Sequence, residues 1–256
     1  MLHLYRTLRA AGVMGINKRN ADFTLRYNPR RLFPLVDDKA QTKRLAQQAG
    51  IAIPELFDTI EIERQIKDLP QRLQAYADFV IKPAQGSGGD GIVIITGRRK
   101  GQYRKASGLL LSENELRHHV SNILNGLYSL GGQNDKALIE ARVQFDPVFE
   151  NMTYLGVPDI RIIVFLGVPV MAMLRLPTRA SDGKANLHQG AIGAGIDIAS
   201  GQTLEAVWKN TMIREHPDTG CALSGVQVPH WPQLLEIAAR CYALTGLGYQ
   251  GVDLVL

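Results

Sequence analysis

At 256 residues, with 45% hydrophobic and 21% charged residues, the chain is long enough for one large domain or two lobes with their own cores, and the composition excludes a disordered or fibrous protein. No apolar run reaches the length of a membrane span, and the start, MLHLYRTLRAAGVMG, lacks the apolar core and small-residue cleavage site of a secretory signal, so a cytoplasmic protein is expected. The net charge of +5 is modest but concentrated in RYNPRR (Arg26 to Arg31) and RRKGQYRK (Arg98 to Lys105). Such clusters meet nucleic acid, lipid headgroups or an acidic partner, or lie as solvated loops around an anionic-ligand site. The last reading is preferred, because neither cluster is interleaved with the aromatic rows that stack bases. Cys221 and Cys241 lack metal-ligand spacing, and two buried thiols are expected rather than a disulfide.

Residues 1–36 form an arm too short to be a domain. It has an amphipathic start, with Leu2, Leu4, Tyr5 and Leu8 on one side and Arg6 and Arg9 on the other, and then a polar, Arg-rich connector ending near Pro34. Asp37 or Asp38 caps the helix DKAQTKRLAQQAG, which stops at Gly50 before GIAIPELF turns into a strand. Lys39, in that helix's first turn, opposes the helix dipole and is either solvated or aimed at an anion.

The stretch Asp78 to Thr96, DFVIKPAQGSGGDGIVIIT, reads as a strand, a flexible cap and a strand. Gly86, Gly88, Gly89 and Gly91 free the backbone to take positive φ, and the successive N–H groups of Gly86, Ser87, Gly88 and Gly89 can cradle phosphate oxygens beside the Lys82 cation. It is not a Walker loop, since the lysine precedes the glycines and a strand follows them. A plain hairpin with a mobile tip would need the same glycines. Ser112 and Glu115 suit a capping box that opens a helix with Leu116, Val120, Ile123, Leu124 and Leu127 on one face and Gly131-Gly132 as its stop. His118 and His119 are adjacent, point apart and are expected to be solvated.

A strand and hinge over Ala137 to Val143 lead through a loop into DIRIIVFLG, a turn at Gly167 and VPVMAMLRLP, with Arg161 and Arg175 on neighbouring strands as surface charges or an anion clamp. The polar stretch TRASDGKANLHQGAIGAGIDI gathers Lys184, Asn186, His188 and Gln189, a donor mix that suits a polyanion or a plain turn. Residues 202–229 read as loop and short strand. A buried helix, PQLLEIAARCYALTG, precedes the strand GYQGVDLVL, whose central Asp253 is costly to bury unpaired and should meet a cation or a metal.

In order and spacing, DDKAQTKRLAQQAGIAIPELF, FVIKPAQGSGGDGI, ALIEARV, DIRIIVFLGVPVMAMLRL, KANLHQGAIGAG and GYQGVDLVL resemble the ATP-grasp ligases, and within them the RimK-like α-L-glutamate ligase-related proteins. The resemblance runs from about Val36 to the end. It implies an α+β fold in which two lobes with antiparallel sheets clasp ATP. The expected boundaries are 1–36 for the arm, 37–136 for the first lobe and 137–256 for the second. By resemblance, Lys39 and Lys82 reach the nucleotide phosphates, Glu140, Ala141, Arg142 and Val143 form the hinge that reads adenine, and Asp159 contacts the ribose with Glu150 as its rival. Lys184 and Asn186 match the triphosphate-binding run with His188 beside it, and Gln189 stands where the ribosomal-protein ligase has arginine. Arg161 and Arg175 are assigned to the γ-phosphate or acylphosphate, and Asp253 matches the first carboxylate of a magnesium site in which manganese can substitute. Two departures stand out: the family pattern continues past Asp253 to a Glu-x-Asn that the sequence stops short of at Leu256, so that either the chain or the site is incomplete, and the preceding N-terminal domain is reduced to the arm. The implied reaction joins a small-molecule or peptide carboxylate to an amine such as an amino acid, through an acylphosphate. The alternatives are a non-catalytic nucleotide-binding module and, last, a nucleic-acid or surface-binding protein using the basic arm.

Overall fold

Alternation of apolar and polar residues builds two six-stranded antiparallel sheets. The computed structural model describes residues 2–86, 88–129 and 131–256. The first sheet contains β1 (Leu56–Ile60), β2 (Phe79–Pro83), β3 (Val93–Arg99), β4 (Gln102–Lys105), β5 (Leu110–Leu111) and β6 (Ala137–Glu140), in the spatial order β1-β6-β2-β3-β4-β5. The second contains β7 (Asp159–Phe165), β8 (Val168–Leu176), β9 (Ile192–Ile196), β10 (Thr203–Trp208), β11 (Thr211–Ile213) and β12 (Tyr249–Leu254), in the order β11-β10-β9-β8-β7-β12. The architecture is α+β, as expected.

The lobe boundary moves. β6 pairs with both β1 and β2, and all four of its residues are buried, so it is a central strand of the first sheet and not the opening of the second lobe at residue 137. The chain crosses between the sheets over residues 141–158. The expected strand to Val143 ends at Glu140, just after which the Ala141 N–H makes one more backbone bond, to the Glu55 carbonyl.

Each sheet buries one face under a helix. Phe79 and Ile81 of β2 point toward the Glu113–Leu124 helix, whose Leu116, Val120, Ile123 and Leu124 join them in the core; burying one such side chain is worth about 1.5–3 kcal/mol. The capping box forms: Glu115 N–H donates to Ser112 Oγ at 3.3 Å and Ser112 N–H to Glu115 Oε2 at 2.8 Å. The helix stops at Asn125 rather than at Gly131-Gly132, and Leu127 is 66% exposed. The reason is Gly126, whose φ is +77° and where a Cβ would come within 2.6 Å of the Gln133 carbonyl carbon. In the second sheet Ile160, Ile162 and Val164 of β7 pack with Leu174, Ile192 and Ala194 under Trp231, Leu234 and Ala238 of the Trp231–Thr245 helix. That helix is amphipathic, with Glu236 and Arg240 exposed, not buried all round. The open face of β7 is left to Asp159, Arg161 and Ile163.

The arm is helical rather than a connector. Beyond the Leu2–Ala10 helix it turns again from Ile16 to Tyr27, and Phe23 and Tyr27 lie edge-on to Phe165 with ring centroids 5.5 and 4.9 Å away. Asn28 then stands in for a missing strand along the free edge of β12: its Nδ2 donates to the Tyr249 carbonyl at 2.6 Å and Tyr249 N–H donates to its Oδ1 at 2.9 Å. Cys221 and Cys241 are free thiols, only partly buried. Among the described residues no helix is long and apolar enough to cross a membrane.

The hairpin root is tightly packed. Gly91 has φ +73°, and a Cβ there would meet Tyr128 Cγ at 2.6 Å. Gly91→Ala should lower the unfolding free energy by about 2–3 kcal/mol, from left-handed strain plus overpacking, as measured by urea denaturation.

Candidate functional site

The cleft face of the first sheet is set by register. Val80 lies opposite Glu140 and Lys82 opposite Leu138, so the side chains of Lys82 and Glu140 emerge on the same face, away from the core. Glu140 is 4% exposed and is held between two ammonium groups, Lys43 Nζ at 2.6 Å and Lys82 Nζ. Lys43 also donates to the Pro54 carbonyl at 2.9 Å. Burial lowers the Lys43 pKa from its ordinary value and the Glu140 hydrogen bond opposes that shift.

Lys39 is placed by its helix. Asp38 caps the Lys39–Gln48 helix, accepting from Ala40 N–H at 2.8 Å and Gln41 N–H at 3.3 Å, and Lys39 N–H donates to the Ala84 carbonyl at 3.0 Å, so the helix start is stitched to the end of β2. The Lys39 ammonium turns into the hairpin root and donates to the carbonyls of Ala84 and Gly86. It is partly buried and makes no ion pair among the described residues, and burial, then the neighbouring Lys82 charge, lower its pKa. A first-turn cation turned inward and without a carboxylate in contact is a site for an added anion.

The Gly-rich cap reaches the second lobe. Asn186 Nδ2 donates to the Gly88 carbonyl at 3.2 Å, Lys184 Nζ lies 3.5 Å from Asp90, and Gly89 approaches the Lys184 stem. Asn186 Oδ1 accepts from His188 N–H, while the His188 side chain is exposed and Gln189 half-buried beside the cap. Ser87 lies outside the described residues. An open cavity of about 550 Å³ runs between Gly89 to Ile92, Leu127 to Ser129 and Asp182 with Lys184. The hairpin root is pinned by Asp135, which accepts from Gln85 N–H at 2.9 Å, and by His119, whose Nε2–H donates to the Gly91 carbonyl at 3.0 Å. His119 is therefore not the solvated histidine expected; burial lowers its pKa.

Across the cleft, the open face of the second sheet carries four charges in one network. Arg161 forks onto Asp253 at 2.7 and 2.7 Å, Arg175 reaches the same carboxylate at 2.8 Å, and Arg175 also forks onto Asp159. Burial pushes the Asp159 carboxyl upward and the Arg175 hydrogen bond opposes it; burial likewise opposes the Arg175 charge, but the bond to Asp159 and the two carboxylates together raise its pKa.

Several expectations change here. Asp253 meets a cation, one of the two partners expected for it: both its oxygens are taken by arginines, and among the described residues no group of three or more His, Cys, Asp or Glu could hold a metal ion. The residues present do not fit magnesium by themselves. Asp159, expected at the ribose, is turned onto Arg175, and Glu150 is exposed in the Pro147–Met152 turn. Glu140 joins the hinge through its side chain, tying two lysines, while Arg142 pairs with Asp78 at 3.0 Å. The Val143 N–H makes no backbone hydrogen bond among the described residues. Sequence reasoning missed Lys43, Asp90, His119 and Asp135; only Lys43 had a local signal, four residues after Lys39 and one turn along the same helix.

Two lobes built on antiparallel sheets, with a Gly-rich hairpin of the first reaching the second and lysines beneath it, define the ATP-grasp class of fold. More narrowly, the chain belongs to the sugar-transfer associated ATP-grasp family, whose sequence model matches residues 18–256. No curated protein matches it. Among solved structures it is similar to a D-alanine–D-alanine ligase from Bacillus anthracis (14% identity, TM-score 0.44, covering 88% of this chain and 54% of that one). It is also similar to the ATP-grasp ligase PsnB in complex with a minimal precursor (14%, TM-score 0.41, 90% and 50%). A third likeness is to the D-cycloserine synthetase DcsG (15%, TM-score 0.42, 90% and 60%). The chain thus spans 50–60% of the length of these proteins, and at these values the likenesses decide nothing about what it does.

The Glu140 network gives a direct test. Lys43 and Lys82 are 10% and 20% exposed, so Glu140→Gln leaves two poorly solvated ammonium groups facing a neutral amide. It should cost about 3 kcal/mol in equilibrium denaturation, whereas Arg142→Gln, at a half-exposed pair, should cost under about 1 kcal/mol.

Proposed function

We propose that this chain binds ATP between its lobes and belongs to an ATP-dependent carboxylate–amine ligase. The observation that carries the reading is Lys39, an inward-facing ammonium with no carboxylate in contact, set with Lys82 under a Gly-rich hairpin whose tip meets Lys184 and Asn186 of the other lobe. Lys39 and Lys82 would hold the phosphates from below, Lys184 and Asn186 from the second lobe, and the Val143 N–H, which makes no backbone hydrogen bond among the described residues, would meet a base edge. Arg161 and Arg175 lie on the sheet face opposite, where a guanidinium fork suits a γ-phosphate or acylphosphate once it exchanges a carboxylate partner for the incoming anion.

In the reaction a substrate carboxylate oxygen attacks the γ-phosphorus and the bond to ADP breaks, giving an acylphosphate. The amine nitrogen then attacks the acyl carbon, and phosphate leaves with its bonding pair. Negative charge grows in both steps, and each positioned donor is worth on the order of 3 kcal/mol of barrier lowering. No side-chain nucleophile is needed, because holding the reactants in register does most of the work. The likeness of the motifs to the glutamate ligases supports an amino acid as the amine and a small acid or peptide as the carboxylate. One observation favours a second reading, a non-catalytic ATP-binding module: Asp253 is fully occupied by arginines.

The test is thermal unfolding with and without ATP, followed by a screen of acids and amines for ADP release. A ligand at a hundredfold excess over its Kd adds about 2.7 kcal/mol, a rise of several degrees here, and Lys82→Ala should abolish that rise. Binding without ADP release for any pair selects the module; no rise removes the nucleotide reading altogether.

The depressed pKa of Lys39 adds a pH signature. Phosphate binds the charged ammonium, so affinity is full at low pH and is lost as pH rises through the Lys39 pKa, which burial places below its ordinary 10.5. Titration of ATP affinity should show this alkaline loss, and Lys39→Arg should remove it.

A further inference from the structure

We propose that the N-terminal arm is a docking element for an anionic lipid surface. Residues 3–19 are exposed throughout, and among the described residues no side-chain hydrogen bond or ion pair joins them to anything beyond Asp22. The Leu2–Ala10 helix carries Leu4 at 61%, Tyr5 at 61% and Leu8 at 42% exposure, an apolar stripe covering about 100° of the helix. Arg6 and Arg9 fall outside the stripe. The turn that follows keeps Val13, Met14 and Ile16 exposed as well. The cost of leaving this apolar surface in water is not recovered anywhere in the fold.

Charge identifies the occupant. Residues 1–31 hold seven Lys and Arg against the single Asp22, so the arm alone is more positive than the +5 of the whole chain. A second copy of the arm would be repelled by that charge. Nucleic acid would satisfy the arginines and could stack bases on His3 and Tyr5, but would leave Leu4, Leu8, Val13, Met14 and Ile16 in water. A lipid interface with acidic headgroups takes both: the apolar stripe sinks among the upper acyl groups and the arginines stay at the phosphates. The arm is anchored to do this, since Phe23, Tyr27 and Asn28 lock its far end to Phe165 and Tyr249 and leave residues 3–19 projecting. The inference is independent of the nucleotide cleft.

The test is co-sedimentation of the full chain with vesicles of phosphatidylcholine alone and of phosphatidylcholine with phosphatidylglycerol. Binding to the mixed vesicles should be at least about tenfold tighter, should weaken with salt, and should fall about tenfold in both Leu4→Ser/Leu8→Ser and Arg6→Gln/Arg9→Gln. These variants touch only exposed side chains, so their unfolding midpoints should stay unchanged. Absence of vesicle binding, or equal binding to both vesicle types, overturns the proposal. So does RNA binding that survives the leucine substitutions, or self-association that those substitutions abolish, which would make the occupant a nucleic acid or a second copy.

Discussion

Glu140 sits at the last position of a strand that is paired on both sides, and its carboxylate is almost wholly removed from water. A charge so placed is tolerated only with partners, and the partners come from two different elements: Lys43 from the helix beside the sheet and Lys82 from the neighbouring strand. That requirement ties the helix to the sheet at the place where the chain leaves the first lobe. It also sets Lys82 at the base of the Gly-rich hairpin and keeps Lys39, one turn before Lys43, at the hairpin root. The geometry of the candidate site is thus a consequence of neutralising one buried carboxylate.

The second lobe solves the opposite problem. Its open face must carry charge without a core to cover it, and it does so with two arginines and two carboxylates that share hydrogen bonds across three strands. Such a network is close to neutral overall and can exchange partners, because each guanidinium has donors to spare and Asp253 accepts from both. A face of this kind is stable when empty and still offers forks to an incoming anion. The first lobe brings inward-facing ammonium groups to the cleft and the second brings forks, a division that suits a ligand with several phosphate groups.

The hairpin between them is held at its root. Asp135 and His119 fix the root through its backbone groups and the Tyr128 ring lies against Gly91, while among the described residues the tip meets the second lobe through the Asn186 hydrogen bond to Gly88 and the long Lys184–Asp90 pair. Glycines with positive φ at positions 88, 89 and 91 permit that curvature, and the entropy of such a segment makes it the easiest part of the site to move.

Much of this was legible in the sequence, because local signals have local causes. The Ser112–Glu115 box, the cap before Lys39, the two hairpins and the Arg161 and Arg175 strands follow from periodicity and capping alone. The motif order was enough to place the chain among ATP-grasp folds, as the family match over residues 18–256 bears out. What stayed hidden was decided by distant contacts. Whether residues 137–140 opened a lobe or completed a sheet depended on pairing with β1 and β2, some 54–84 residues away in sequence by the matched positions. Gly126 ended a helix earlier than Gly131 because the chain returns against it at Gln133. The strand around Asp253 called for a cation or a metal, but which cations it meets was hidden, because Arg161 and Arg175 lie on strands that only the folded sheet sets beside it. The sequence by itself determined which segments become helix, strand and glycine cap, since those depend on side chains a few residues apart; only the tertiary structure decided which charges meet, since a buried charge is defined by the elements that close around it.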